Sequence, residues 1–504
     1  MPINNVTEFL VDGKDPERVA LLFLREEVTY GQLQRRIEGV ADLLLGLRGQ
    51  KGDRVVLIDD NSFFWVAAYL GILRAGLVCV PLSPTLPVDD VEYVLKITGA
   101  RIIFAQDAIA IPIATIAADV HVVTSSDVAS GETASPSQRL SPSNSGLLLE
   151  SRFPSTERND LAALMFTSGS TGRPRGVMIS HGNIIANTES IIECLRLTHR
   201  DRMMVVLPFH YCFGTSLLHT HLRAGGSLVV DSRFMYREVV LQRMIDMECT
   251  GFAGVPSHFQ ILLRNSTLSA KTFPALRYVQ QAGGHLAPSF VRQLLAAVRP
   301  ADVYVMYGQT EATARLSCLP PEFLESKTGS IGKGIPGVNL RVVDERGNDV
   351  RPGEIGEIVA QGDNVAAGYW GTPDESAKSF RHGLLYTGDL ATVDEDGFIF
   401  IVDRAKDFLK CGGRRVSCRH LEEQLLANDE LLEAAVVGIP DDILGEAVKA
   451  FIVPRKSDSS DVKERVHLFC KARLLPEFVP KEIIVLRSLP KNSAGKVLKA
   501  TLKL

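Results

Sequence analysis

An excess of charge of either sign is missing from this 504-residue chain: 55 Lys and Arg stand against 59 Asp and Glu, a formal net charge of −4. Nucleic acid and anionic membrane surfaces call for a marked basic excess, so neither is expected as a partner. The eight cysteines are scattered with no C-x-x-C pair, and Cys411 and Cys418, seven apart, have no second pair nearby to complete a zinc set. That usage predicts free thiols and a cytoplasmic setting. The start, Met1-Pro2-Ile3-Asn4-Asn5, lacks the basic and apolar regions of a signal peptide. No long uninterrupted apolar run occurs. The most apolar window, Val66 to Leu82, contains Arg74, Gly71 and Gly76. It predicts a buried helix, a turn at Gly76 and a strand over Leu77–Pro81, and no membrane span.

What the chain does have is length and apolar content, 45%, sufficient for a large α/β body and a smaller second unit. Apolar residues recur at helical spacing from Tyr30 to Leu47 behind Thr29, a candidate N-cap. Asp53–Ile58 and Ile102–Ala105 read as short strands, and the alternation of helix and strand predicts helix-covered parallel sheets. From Thr124 to Asn159 the composition turns to Ser, Pro and Gly, which predicts a long, mobile surface excursion.

The stretch on which the rest turns is Thr167-Ser168-Gly169-Ser170-Thr171-Gly172-Arg173-Pro174-Arg175-Gly176, directly after the apolar Leu161–Phe166. Hydroxyls and glycines without bulky side chains, set between a buried strand and a second ordered element, suit a loop that wraps a polyphosphate. A Walker A loop is excluded, since no Lys-Ser/Thr pair follows the second glycine. Asn183 is the candidate cap of the segment beyond.

This stretch resembles the phosphate loop of the adenylate-forming superfamily, which includes acyl-CoA synthetases and aryl-CoA ligases. The resemblance runs from Thr29 to Lys496 through further motifs in order. Leu207–Gly214, containing His210, Tyr211 and Phe213, resembles the aromatic wall of the family's carboxylate pocket. Gln281-Ala282-Gly283-Gly284-His285 resembles the turn beside adenine. Tyr307-Gly308-Gln309-Thr310-Glu311 is the most specific match. In it the resemblance assigns adenine stacking to Tyr307, an α-phosphate contact to Thr310 and Mg²⁺ to Glu311. Tyr386-Thr387-Gly388-Asp389 supplies a ribose-binding Asp389, and Arg404 resembles the ribose-binding arginine. Lys406 stands where the family pivots. Lys410 and Arg415 fall near positions that serve the second half-reaction in the aryl-CoA branch, with Arg415 in place of the usual glutamine. Ser493-Ala494-Gly495-Lys496 resembles the terminal motif whose lysine contacts the carboxylate and α-phosphate. Arg175 departs from the family's usual lysine, keeping the charge but changing its shape.

The resemblance implies an α/β fold: a multi-subdomain body of helix-covered sheets over residues 1–402, a hinge at 403–406 and a mobile α/β lid over 407–504. It implies ATP, Mg²⁺ and a carboxylic acid as reactants. An acyl-adenylate would pass to a thiol, coenzyme A or the phosphopantetheine of a separate acyl carrier protein. Only eight residues follow Lys496, so the acceptor is expected from outside the chain. No insertion interrupts Thr387–Arg404, which favours coenzyme A. His210 stands where peptide-synthetase domains place an amine-binding Asp, which disfavours amino acids. A non-catalytic homologue would lose Glu311 or Lys496, and both are present; a luciferase-like oxygenase would share the adenylation residues. Acetyl-CoA synthetases carry Trp at the position of Gly308, so Gly308 implies a deeper pocket and medium-length or aryl acids.

Overall fold

The computed structural model describes residues 3–107, 120–130, 152–168, 174–404, 408–455, 461–492 and 495–503. Its core is laid between two large sheets. In the nine-stranded sheet, Asp302–Tyr307, Tyr278–Gln281, Gly251–Gly254, Arg202–Val205, Ser227–Val230 and Val19–Leu22 run parallel as neighbours. In the six-stranded sheet, Arg54–Ile58 pairs in parallel with Val78–Leu82 and Ile102–Ala105, and Leu161–Ser168 joins beside Val78–Leu82. Such strands are buried on both faces and read as near-continuous apolar runs.

Helix Phe63–Arg74 (FFWVAAYLGILR) is apolar all round, and every residue from Phe64 to Leu73 is buried. A helix with no polar face must be covered on all sides. It lies in one core cluster with Leu21 and Val205 of the larger sheet and Val55 and Ala163 of the smaller. The predicted helix, turn and strand from Val66 to Leu82 are therefore present, the strand being Val78–Leu82. Helix Tyr30–Gly46 begins at Thr29, whose hydroxyl accepts from the Gln32 amide in a reciprocal capping box.

The phosphate-loop stretch is flanked by a buried strand and a second ordered element, as expected. Leu161–Ser168 is followed by an antiparallel strand, Pro174–Ser180, with Ser168 opposite Pro174. Helix His181–Leu195 comes after that, capped by Ser180; Asn183 sits at its third position and reciprocates the cap. A hydroxyl placed just before the helix beats an amide placed inside it, because only the former reaches the free amides of the first turn. Residues 169–173 at the hairpin tip lie outside the described residues, as do 131–151 of the Ser/Pro/Gly-rich excursion.

A third, antiparallel sheet contains Asn339–Val343, Gly356–Gln361, Leu384–Val393 and Ile399–Arg404. The C-terminal sheet, Arg414–Ser417, Phe408–Cys411, Gly445–Pro454, Leu431–Asp441 and Glu482–Val485, has its own apolar cluster under helices Cys418–Leu426 and Val462–Lys471. Among the described residues no helix is long and apolar enough to cross a membrane.

Histidines are buried throughout the interior. His219 Nε2 lies 2.9 Å from the Tyr69 hydroxyl and His221 Nε2 lies 2.8 Å from that of Tyr278. Burial pulls His219 down to about 3 and His221 down to about 4. Their unfolded value is about 6.5, so below that pH the unfolded chain binds more protons. Stability is then lost as pH falls from about 6.5 toward those folded values, by about 2 kcal/mol for each such histidine at pH 5. Asp59, raised by burial to about 6, acts in the opposite direction. Tm followed from pH 7 to pH 5 should fall, and His219→Gln should flatten the slope. A slope unchanged in the variant would show that His219 does not take part.

Candidate functional site

A cavity of about 320 Å³ opens at the carboxyl ends of strands Tyr278–Gln281 and Asp302–Tyr307, beneath the C-terminal unit. Open parallel sheets bind ligands at that end of their strands. Gln281, Gly283, Gly284, Tyr307 and Gly308 form the body side of its wall, and Lys491, Gly495 and Lys496 close it from the C-terminal side. Gly283 holds φ at +83°, a conformation that favours glycine. A Cβ there would stand 3.0 Å from Val255 Cγ1.

Asp389 and Arg404 complete the wall. They are direct partners on adjacent antiparallel strands, so their side chains project on one face. The Arg404 Nε donates to Asp389 Oδ1 at 3.1 Å, and the Tyr307 hydroxyl donates to Oδ2 at 2.6 Å. Burial, reinforced by Asp389, pushes the Tyr307 hydroxyl well above its usual range. The phenol therefore stays a donor, its ring is held in place, and each carboxylate oxygen keeps a second lone pair for another hydroxyl.

Thr310 and Glu311 lie on a short 3₁₀ turn, Thr310–Ala312, just beyond Gly308. The Thr310 hydroxyl contacts Cys212 Sγ at 3.4 Å. Glu311 Oε1 accepts from the Tyr369 hydroxyl at 2.8 Å. The Arg175 guanidinium sits 4.9 Å from the centre of the Tyr369 ring and pairs with Glu375 at 2.7 Å. Arg175 thus extends from the phosphate-loop hairpin toward the tyrosine that holds Glu311. Among the described residues no group of three or more His, Cys, Asp or Glu could hold a metal. A single carboxylate suits Mg²⁺, which takes one or two carboxylates and completes its shell from phosphate oxygens and water.

The sequence-derived set divides accordingly. Gly283, Gly284, Tyr307, Gly308, Asp389, Arg404 and Lys496 wall the cavity; Gln309, Thr310, Glu311, Arg175, His210 and Lys410 are not part of that wall. Thr167 and Ser168 end their strand, and Gly169, Ser170, Thr171 and Gly172 lie outside the described residues, as does Lys406. His210 is half-buried in the turn before helix Cys212–Ala224, and burial draws its imidazole down to about 4. Lys410 is exposed on strand Phe408–Cys411, with its amide bonded to Glu446 at 2.7 Å.

Gly308 plays a different part from the one its lack of a side chain implied. A Cβ there would fall 2.1 Å from the Ala314 carbonyl oxygen and 2.7 Å from Arg315 Cα. The space that a larger residue would need is filled by backbone, so Gly308 admits the close return of segment 314–315 and does not leave an empty channel.

The C-terminal unit is seated on the cavity by pairings that the sequence did not reveal. Ser257 Oγ donates to the Gly495 carbonyl at 3.0 Å, at the tip of a hairpin closed by the bridge between Lys491 and Val497. His285 Nε2 lies 2.5 Å from Glu423 Oε1, and Arg419 contacts the other ring nitrogen. Asp403 Oδ2 accepts from the Ser417 hydroxyl at 2.7 Å and the Arg419 amide at 3.2 Å. The Arg419/Glu423 spacing of four on a helix was the visible signal for a paired face. Nothing in the sequence named His285 as its partner.

Known proteins match this chain along its length. Residues 11–370 match the AMP-binding enzyme family, and residues 420–496 match the AMP-binding enzyme C-terminal domain. A long-chain-fatty-acid–CoA ligase of Salmonella typhimurium is 30% identical over 519 residues, covering 97% of this chain and 91% of the relative. An anthranilate CoA ligase solved with anthranoyl-AMP superposes with a TM-score of 0.89 at 25% identity, over 100% of this chain and 97% of the other. The o-succinylbenzoate CoA synthetase of Bacillus subtilis, solved with ATP and a magnesium ion, gives 0.83 at 25% identity over 99% of both chains. With a cavity framed by Tyr307, Asp389, Arg404 and Lys496 and with matches that span both of its parts, the chain belongs to the AMP-binding enzyme family.

Proposed function

We propose that the cavity is where an ATP-dependent acid–thiol ligase joins a carboxylic acid to coenzyme A, with Tyr307, Asp389 and Arg404 holding the nucleoside and Lys496 serving the first step. The observation that carries this reading is the convergence of all four residues, from three different sheets or loops, on one cavity. In the first half-reaction a carboxylate oxygen bonds to the α-phosphorus of ATP as the bond to pyrophosphate breaks, leaving an acyl-adenylate. In the second, a thiolate sulfur attacks the acyl carbon and AMP departs.

Both steps move negative charge between oxygens, so placed cations and N–H groups do most of the work. Glu311, steadied by Tyr369, is the residue to hold Mg²⁺, which would neutralise phosphate charge when bound. The Asp389 lone pairs accept from ribose hydroxyls, and the Tyr307 ring offers its face to a flat base. Lys496 belongs to the C-terminal unit and reaches the reacting groups only while that unit is seated. A pivot within 403–406 would exchange Lys496 for the face bearing Lys410 in the thiol step. The division into body, hinge and lid at 1–402, 403–406 and 407–504 belongs to this proposal. So does a cytoplasmic setting, supported by eight cysteines that are all free.

Lys496→Ala should lower the rate of acid-dependent ATP–pyrophosphate exchange by about 10²–10³. Conversion of pre-made acyl-adenylate to thioester should be nearly unaffected. Equal losses in the two assays would take Lys496 out of the adenylation step. Gly308→Ala should lower stability by about 1–3 kcal/mol, because Cβ meets backbone. Gly308→Trp should reduce folded yield without moving acid preference toward acetate. A well-folded Trp variant that favours acetate would restore Gly308 as the residue that sets pocket depth.

A further inference from the structure

Arg315 lies just past the Tyr307–Glu311 motif. It is only 2% exposed, one of the largest fully buried side chains in the molecule. Its guanidinium carbon is 3.8 Å from the centre of the Phe213 ring. Among the described residues, Nε and Nη2 have no hydrogen-bond partner, and Nη1 reaches only the Ala314 carbonyl, at 3.4 Å. Two asparagines fix its backbone: Asn187 Oδ1 accepts the Arg315 amide, and Asn187 and Asn364 both donate to its carbonyl. The main chain is therefore pinned, while the charged head has only that one long contact with an acceptor. Burial lowers Arg315 to about 10, so it still carries its charge at neutral pH.

The site of this charge adjoins the cavity. Phe213 Cδ1 and the Tyr211 hydroxyl each lie 3.9 Å from where a Cβ on Gly283 would stand, and Gly283 walls the cavity. The guanidinium thus stacks on a ring whose edge borders that wall. A second buried polar group, Gln280, stands on strand Tyr278–Gln281, which ends at the cavity. Strand alternation puts Gln280 on the face of Tyr278, whose hydroxyl meets His221 of helix Cys212–Ala224. Gln280 is 1% exposed, and its amide makes no hydrogen bond of ordinary geometry among the described residues, although it lies beside the Tyr278 phenol. A desolvated, unpaired guanidinium is costly, and the cost is recovered when an anion reaches it.

We infer that Arg315, aided by Gln280, receives a second carboxylate at the far end of the acid, so that the preferred substrate is a dicarboxylic acid. The inference rests on the ligase reading above and specifies its acid. An unsubstituted alkyl chain in the same place would leave the cation buried and unpaired. A site built around a polar group discriminates strongly against the analogue that lacks it.

The test is pyrophosphate release by the full-length enzyme with ATP, Mg²⁺ and coenzyme A. Straight-chain and aryl dicarboxylic acids are paired with monocarboxylic acids of the same skeleton. The wild type should favour the diacid of the best pair by at least about 100-fold in kcat/KM. Arg315→Met should remove most of that ratio by losing the diacid and sparing the monoacid, and Gln280→Leu should lower it less. A wild type that uses the monoacid as well or better overturns the inference, whether or not the Arg315 variant folds. An unchanged ratio in a folded Arg315→Met does the same. Absence of pyrophosphate release with every acid would instead count against the ligase reading itself.

Discussion

The hydrogen bond from the Tyr307 phenol to Asp389 ties two sheets together where the cavity begins. Tyr307 ends a parallel strand of the nine-stranded sheet, and Asp389 lies in the antiparallel sheet beside it. From Asp389 the contacts continue without a break. Arg404 pairs with its other oxygen, the preceding Asp403 holds Ser417 and Arg419, and Arg419 reaches back to His285 beside the glycine turn. One closed circuit therefore passes from body to C-terminal unit and returns to the body. If any link shifts, the cavity wall and the seating of the C-terminal unit shift together.

The seating contacts differ in kind from those inside each unit. Each unit has its own apolar cluster, so it keeps its shape wherever it sits. Across the junction, hydrogen bonds and ion pairs at partly exposed groups, such as Ser257 to Gly495 and His285 to Glu423, stand beside a small apolar contact, where Leu426 joins a core cluster of the body. Partly exposed pairs of this sort are worth about 0–1 kcal/mol each. A few of them can select one orientation without locking it. A two-step reaction that needs different neighbours at the same carbon requires that balance.

Most of the fold was legible because its signals are local. The capping box at Thr29, the all-apolar helix Phe63–Arg74 and the short strands Arg54–Ile58 and Ile102–Ala105 each follow from a few adjacent residues. Candidate site residues in contiguous motifs could be named for the same reason, and four of them, Tyr307, Asp389, Arg404 and Lys496, meet at one cavity. What escaped depends on residues far apart in sequence. Tyr369 beside Glu311, Ser257 beneath Gly495 and the His285–Arg419–Glu423 cluster join positions 58, 238 and up to 138 residues apart, and no periodicity reports such pairings. The helix cap went to Ser180 over Asn183 for a nearer reason: a shift of three positions decides which side chain faces the free amides.

Gly308 and Arg315 show how one local feature can mislead until the chain is closed around it. The glycine read as space. In the fold it is a point of contact, where the backbone of Ala314 and Arg315 comes too near for any side chain. That close return carries Arg315 inward, and the two asparagine amides hold its main chain there. A bulkier residue at 308 would push the segment outward and give the guanidinium back to water. The glycine and the buried cation are thus two ends of one constraint. The glycine sets where that charge sits, and it opens no channel of its own.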